Sequence, residues 1–319
     1  MKRMALAVLP FFLAGVAEAA PAAPPPVHSL RILILSTMLA ERAGIGEWGF
    51  AALVEVDGRR FLFDTGAQPE TVLINARALG VDLSDVTDVV LSHNHVDHTG
   101  GLLTLRRAVA GKNPAALTRV HVGRGIFWSR PSPQGEGNGV LNARPELEAA
   151  GIRFVEHEGP VELAPGVWLT GPVPRVHPER NWSGAGRVQA PDGLVEDTIP
   201  EDQSLVFDTD RGLVVLTGCG HAGVVNTVDY ARKTVRTAPL HALVGGLHLF
   251  PLDDERLDWT ADRLKEDGLE NLMGAHCTGL EAVYRIRARL GLSRAQAVVG
   301  AVGATFELGK GIDPLVLAR

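Results

Sequence analysis

Six consecutive residues, His93-Asn94-His95-Val96-Asp97-His98, carry four side chains able to ligate a metal. Imidazole and carboxylate are the common nitrogen and oxygen donors for zinc and related divalent ions. In extended backbone, side chains at i and i+2 point the same way. His93 and His95 can therefore grip one ion. Asp97 and His98, where the chain turns into a helix, can reach a second. The chemistry this equips is water activation: a bound cation lowers the pKa of water from about 15.7 to about 7 and stabilises a developing oxyanion.

These ligands need a scaffold, and the flanking sequence supplies one. Val86 to Leu91 reads as a buried strand that delivers the chain to His93. Thr99 is placed to cap a helix running through Val109 and ended by Gly111. Upstream, Arg31 to Thr37 is strand-like, and Phe50–Val56 and Arg60–Phe63 flank Asp57-Gly58, a strong hairpin signal. Pro69 opens a helix that Gly80 stops. Downstream, Ser204–Asp208 and Leu213–Thr217 form a second hairpin pair. A helix follows from Ala222 to about Val235, then a strand at His241–Val244 and a helix at Asp254–Asp267. Leu272–His276 is a short apolar segment, and Leu280–Leu290 a last helix. Strands paired with helices in two similar halves predict sheets covered by helices. Residues from about 127 to 200 are rich in Pro, Gly and Arg and read as an insertion of functional loops with some strands of its own.

Three more histidines follow strand-like runs. They sit in Gly218-Cys219-Gly220-His221, Gly245-Gly246-Leu247-His248 and Ala275-His276-Cys277. Loops at strand ends are where open α/β sheets build their sites. Phe63-Asp64-Thr65-Gly66 ends another strand. Two motifs mislead. Gly44-x-Gly46-x-x-Gly49 has dinucleotide-binding spacing, but a strand follows where that motif needs a helix. Asp64-Thr65-Gly66 has the form of an aspartic-protease triplet, yet no second triplet exists to share its proton.

Composition bounds the rest. The chain has 319 residues, 45% hydrophobic, with a formal net charge of −6. No basic block invites nucleic acid or an anionic membrane. Residues 1–19 have the form of a signal peptide: Lys2 and Arg3, an apolar run from Met4 to Val16, then Ala17-Glu18-Ala19. The run is too short to span a bilayer, and no Cys marks a lipid anchor. Residues 20–29 form a Pro-rich tether, and 30–319 a single domain. The expected location is periplasmic or secreted, with no stable membrane anchor after cleavage. The two cysteines, Cys219 and Cys277, each lie within two residues of a candidate ligand and read as free and buried rather than disulfide-bonded.

His93-x-His95-x-Asp97-His98, followed by His221 and then His276, with Asp64-Thr65-Gly66 upstream, resembles the metallo-β-lactamase superfamily of metal-dependent hydrolases. The pieces GPVPR, EDQSLV, TGCGHAG, GGLHL and AHCTG look like one subgroup, described by its likeness to 7,8-dihydropterin-6-methyl-4-(β-D-ribofuranosyl)aminobenzene-5'-phosphate synthase. The resemblance implies an α/β (α+β) fold, a four-layer αββα sandwich with metals at the rim. It implies that His93, His95 and His221 hold one ion and that Asp97, His98 and His276 hold another. Asp64 would lie behind them and fix a ligand or loop. Many two-metal members carry a bridging Asp where this chain has Gly245-Gly246-Leu247-His248. His248 is therefore a candidate ligand, proton donor or substrate contact. Asp97 and His248 are the candidate catalytic side chains, and Arg175 and His177 candidate contacts for an anionic or polar substrate. The cofactor is one or two divalent ions, zinc first, with manganese or iron as alternatives. The expected function is an exported hydrolase using metal-bound hydroxide on an ester, lactone, amide or phosphoester bond of a small molecule. Two alternatives stand beside it: synthase-type group transfer on a pterin-like substrate, and a non-catalytic metal-binding or sensing module.

Overall fold

The computed structural model describes residues 26–41 and 44–318. The expected signal peptide and most of the tether lie outside the described residues. The chain opens with β1 (Leu30–Ser36), β2 (Ala51–Val56), β3 (Arg59–Phe63), α1 (Thr71–Ala78) and β4 (Asp88–Val90). Next come α2 (Val96–Thr99), α3 (Leu102–Ala110), β5 (Arg119–Gly123), β6 (Pro131–Ser132), β7 (Gly135–Glu136) and α4 (Gly139–Ala149). The middle holds β8 (Arg153–His157), β9 (Val161–Ala164), β10 (Val167–Leu169), β11 (Arg187–Ala190) and β12 (Gly193–Glu196). Then follow β13 (Leu205–Thr209), β14 (Gly212–Thr217), α5 (Val224–Thr234), β15 (Leu240–Gly245), α6 (Asp254–Glu266) and β16 (Asn271–Gly274). The chain closes with α7 (Leu280–Leu290), β17 (Ala297–Val299), β18 (Thr305–Glu307) and β19 (Gly311–Asp313).

Two large sheets result. One runs β19-β18-β1-β2-β3-β4-β5-β8 and the other β17-β16-β15-β14-β13-β10-β9. Hairpin pairing dominates one half of each sheet, and parallel pairing the other: β3-β4-β5-β8 in the first, β14-β15-β16-β17 in the second. Parallel pairing needs crossover helices, and α5, α6 and α7 supply them for the second sheet. The β2–β3 turn is Asp57-Gly58, both with positive φ (44° and 76°). That is the backbone a two-residue hairpin matching strand twist requires.

Alternation along the strands sorts side chains into three cores. Ile32, Val54 and Phe63 of the first sheet meet Leu169, Phe207 and Leu216 of the second in a central core. Leu33, Leu53 and Val120 face the other way, under Val72 of α1, Leu105 of α3 and Leu147 of α4. Val215, Leu243 and Leu272 pack beneath Val228 of α5, Leu264 of α6 and Ile286 of α7. The order helix–sheet–sheet–helix is the expected αββα sandwich. Burial of this kind contributes roughly 1.5–3 kcal/mol for each large apolar side chain.

Three expectations need correcting. Val27 is not solvated tether: it is fully buried, donates its N–H to Asp208 O (2.7 Å) and bridges to Thr209. Its apolar side chain gains more from the central core than from water. The 127–200 segment is not one insertion. α4 covers the first sheet, β8 edges it, β10 joins the second sheet beside β13, and β9 edges that sheet. Only the β6–β7 hairpin and the stretch from 171 to 200, with its β11–β12 hairpin, stand outside both sheets. Edge strands tolerate polar, half-exposed residues, so they lack the apolar runs that mark central strands. Lastly, Thr99 ends α2 rather than capping α3; its hydroxyl donates back to His95 O at 3.1 Å.

Candidate metal centre

The candidate ligands gather at the carboxyl ends of parallel strands. His93 to His98 follow β4, His221 follows β14, His248 follows β15 and His276 follows β16. His95 is still extended (φ −63°, ψ 145°) and Asp97 and His98 fall in α2, so the loop-to-helix switch read from the sequence is present. The strand ends approach so closely that side chains would obstruct them. A Cβ on Gly218 would lie 2.1 Å from Ser92 Oγ, and one on Gly246 would lie 2.1 Å from Gly218 O.

Two trios of donors form there. His93, His95 and His221 each offer a nitrogen, all within 4.8 Å of one another. His93 Nε2 and His95 Nδ1 are 3.0 Å apart. Asp97, His98 and His276 form the second trio within the same limit. Asp97 Oδ2 lies 3.2 Å from His276 Nε2 and 3.8 Å from His98 Nε2. The His93 and His98 ring centroids are 4.2 Å apart, so the trios adjoin. His221 Nε2 and both ring nitrogens of His276 are buried without a hydrogen-bond partner. Such orphans cost about 1–3 kcal/mol each. A cation in each trio takes one such nitrogen from each ring and removes its cost, so the residues present fit divalent metal.

The far side of the ligand rings is tied down. Asp64, fully buried, accepts from Ser92 N (2.7 Å), Ser92 Oγ (2.8 Å) and His98 Nδ1 (2.7 Å). Ser92 Oγ also meets His93 Nδ1 at 2.9 Å. His221 Nδ1 donates to the Asn181 carbonyl. Contacts of this kind set which nitrogen faces the metal. Sequence reading assigned Asp64 this place but gave no role to Glu201-Asp202-Gln203. Glu201 accepts from Asn94 N (3.2 Å) and pairs through both carboxylate oxygens with Arg130 (2.9 and 2.7 Å). Gln203 N donates to Ser92 O (3.1 Å), and Asp202 accepts from Ala222 N (2.9 Å), beside His221. Three consecutive polar residues entering an apolar strand were the available signal.

Protonation follows from burial and neighbours. Burial and the surrounding histidines hold His93 and His221 well below the usual imidazole range, and burial brings His95 down to about 4. These three are neutral at pH 7, with lone pairs to give. His98 behaves oppositely. Burial opposes its charge, but the Asp64 carboxylate outweighs that and raises it to about 9. Asp97 stays ionised: burial works against its charge, and the close approach of His276, with His98 and His95 nearby, prevails.

His248 joins the cluster. With Cys219 and His221 it forms a further trio within 4.8 Å. Its ring centroid is 4.6 Å from that of His221, its N–H donates to Cys277 Sγ (3.3 Å), and its Nδ1 is buried without a partner. It holds a positive φ of 48°, an uncommon conformation for a non-glycine residue. Cys219 and Cys277 are free and buried, as the sequence suggested, with sulfurs 3.1 Å apart. Cys219 Sγ also lies 3.1 Å from His98 Nε2.

Arg175 and His177 do not join it. Arg175 Nη2 donates to the carbonyls of Thr198 and Ile199, and its guanidinium lies over Trp182. His177 Nε2 pairs with Asp229 of α5 at 2.5 Å, while its N–H donates to Asn226 Oδ1. A desolvated guanidinium takes the nearest carbonyls, so both residues anchor the 171–200 stretch. The rim the sequence did not disclose is aromatic. Trp48 and Phe250 are half exposed (50% and 52%), and Trp48 lies 5.0 Å from the His276 ring and 5.7 Å from Phe250.

Residues 49–235 match the family model described as the metallo-beta-lactamase superfamily. The chain belongs to the metallo-beta-lactamase superfamily. It is 29% identical over 242 residues to a 7,8-dihydropterin-6-methyl-4-(beta-D-ribofuranosyl)-aminobenzene-5'-phosphate synthase of Methanocaldococcus jannaschii, covering 73% of this chain and 82% of that protein. Among solved structures, it resembles Tm1679, described as a metal-dependent hydrolase of the beta-lactamase superfamily. Identity there is 27% and the TM-score 0.70, covering 91% of this chain and 100% of that one. The metallo-beta-lactamase fold protein YhfI from Bacillus subtilis matches at TM-score 0.55 and 13% identity, covering 88% of this chain and 100% of that one; it speaks for the fold alone.

Proposed function

We propose that this superfamily member is a metal-dependent hydrolase of a small molecule with an ester, lactone, amide or phosphoester bond. The observation that carries this is the pair of adjoining donor trios with orphaned lone pairs at His221 and His276. In this reading His93, His95 and His221 hold one divalent ion, and Asp97, His98 and His276 a second. Zinc is the first choice, because imidazole donors with a neighbouring thiol suit it; manganese and iron are the alternatives. Metal held there supplies Lewis acidity and a reactive water.

The chain's own groups do the remaining work. Asp64 keeps the proton of His98 on Nδ1, leaving Nε2 for the metal. Asn181 does the same for His221. In this reading Asp97, ionised and within the second trio, orients the attacking water, and His248 gives a proton to the leaving group. Trp48 and Phe250 offer an apolar wall to the substrate part next to the scissile bond. The N-terminal sequence supports export, so we place this activity in the periplasm or outside the cell.

A second reading, synthase-type group transfer on a pterin-like substrate, draws on the 29% identical synthase. The test is a panel of ester, lactone, amide and phosphodiester substrates beside a pterin-phosphate transfer assay, run on metal-loaded and chelated protein. Metal-dependent turnover of one hydrolytic class supports the proposal. Transfer without hydrolysis overturns it in favour of the synthase reading.

A further inference from the structure

A second polar site lies away from the metal centre, on the inner face of the first sheet at its β8 edge. Register places Phe61, Asp88, Arg119 and Arg153 side by side across β3, β4, β5 and β8. Residues in one such row share a face, and Phe61 belongs to the central core. Asp88, Arg119 and Arg153 therefore point inward, where a sandwich is normally apolar. The second sheet ends at β9 and leaves them uncovered. The gap is a cavity of about 750 Å³, with Val161, Glu162 and Leu163 along one wall. Its size falls within the roughly 300–1,000 Å³ of small-molecule sites. It shares no lining residue with the metal centre.

The cavity's polar groups are ordered. Asp88 accepts from His121 Nε2 (2.9 Å) and from Arg119, whose Nη2 reaches it at 2.7 Å. His121 Nδ1 meets His157 Nε2 at 2.9 Å, and the two rings stack. The hydrogen bond to Asp88 puts the His121 proton on Nε2. His157 then donates to His121 from Nε2 and keeps an accepting lone pair on Nδ1. Charges in the wall do not balance. Arg60 pairs with Glu55 and Asp85 and Arg119 with Asp88, while the lining carboxylate Glu162 accepts only from Gly166 N and keeps its negative charge, so four guanidiniums face three carboxylates. Among the described residues, Arg59 and Arg153 are left as lining guanidiniums without an ion pair.

We infer that this cavity binds a small oxyanion, a molecule bearing phosphate or carboxylate groups, with Arg59 and Arg153 as its clamps. Guanidinium recognises both groups by the same paired donors. The competing account is that charges pointing inward on an edge strand only deter strand addition from another chain. Calorimetric titration of the full, metal-loaded chain with inorganic phosphate and, separately, with citrate distinguishes the two. Saturable binding of either is expected, and the tighter anion names the class. Affinity should survive His95→Ala, which disables the metal centre, and fall at least about tenfold in Arg153→Ala and in Arg59→Ala. Both arginines are exposed, so neither change should unfold the chain, and circular dichroism checks this. Absence of saturable binding by both anions overturns the inference. So does binding that disappears in His95→Ala or is indifferent to both arginine changes.

Discussion

Asp64 holds His98 by a 2.7 Å hydrogen bond at Nδ1, with both side chains fully shielded from solvent. The bond fixes which His98 nitrogen is free for metal, and it ties the loop after β3 to the one after β4. Asp64→Asn keeps the shape but removes the charge. Partners of this kind are worth about 10–100-fold in metal affinity. The variant should fold and lose affinity on that scale, read by competition with a chromophoric chelator. Unchanged affinity would mean Asp64 serves only the loop.

If His98 is a ligand as proposed, the same pair should make metal uptake pH-dependent. Without metal, His98 is raised to about 9 and is protonated at pH 7. Its raised pKa stabilises the metal-free fold below about 6.5, the ordinary histidine value, and that contribution is lost as pH rises through about 9. Metal must displace the Nε2 proton, whereas His95, lowered to about 4, has none to lose. Apparent affinity should therefore climb about tenfold per pH unit from about 5 to about 9, then level off. Titration calorimetry in buffers of different ionisation enthalpy should count one proton released at pH 7. A count of zero would contradict the assignment of His98.

Arg130 and Glu201 form a buried pair that braces the His93–His98 loop through Asn94 N. Burial already raises Glu201 to about 7, so in Arg130→Ala it takes up a proton and stays as a buried acid without its partner, a loss of about 1–3 kcal/mol. Denaturant unfolding should register that loss. A change below about 1 kcal/mol would show that water replaces the guanidinium.

Trp48 packs edge-on against His276 and stays half exposed. Trp48→Ala should raise KM about tenfold or more for substrates with an apolar flank while leaving metal content unchanged. A kcat loss with constant KM would instead point to disturbance of His276.

How much of this was legible in the sequence varies by residue type. His93, His95, Asp97 and His98 declare themselves because their spacing is local. His221, His248 and His276 were legible because each ends a strand-like run. Asp57-Gly58 marked its hairpin through turn chemistry alone. The edge strands β8 and β9 were not legible, since half-exposed strands lack a continuous apolar run, and β10, though largely buried, is too short at three residues to show one. Arg175 and His177 looked like substrate contacts because charge in a loop is ambiguous until its partners are placed. Arg130 and Glu201 lie 71 residues apart, and no local pattern predicts such a pair. Trp48 at the rim, likewise, depends on the β1–β2 loop folding over His276.

Metal content of the purified chain tests the central claim most directly. Elemental analysis of native protein and of His95→Ala and His276→Ala, each in a different trio, should give about two equivalents for the native chain and about one or fewer for each variant. Native protein without stoichiometric metal, or variants that retain the full complement, would contradict the account.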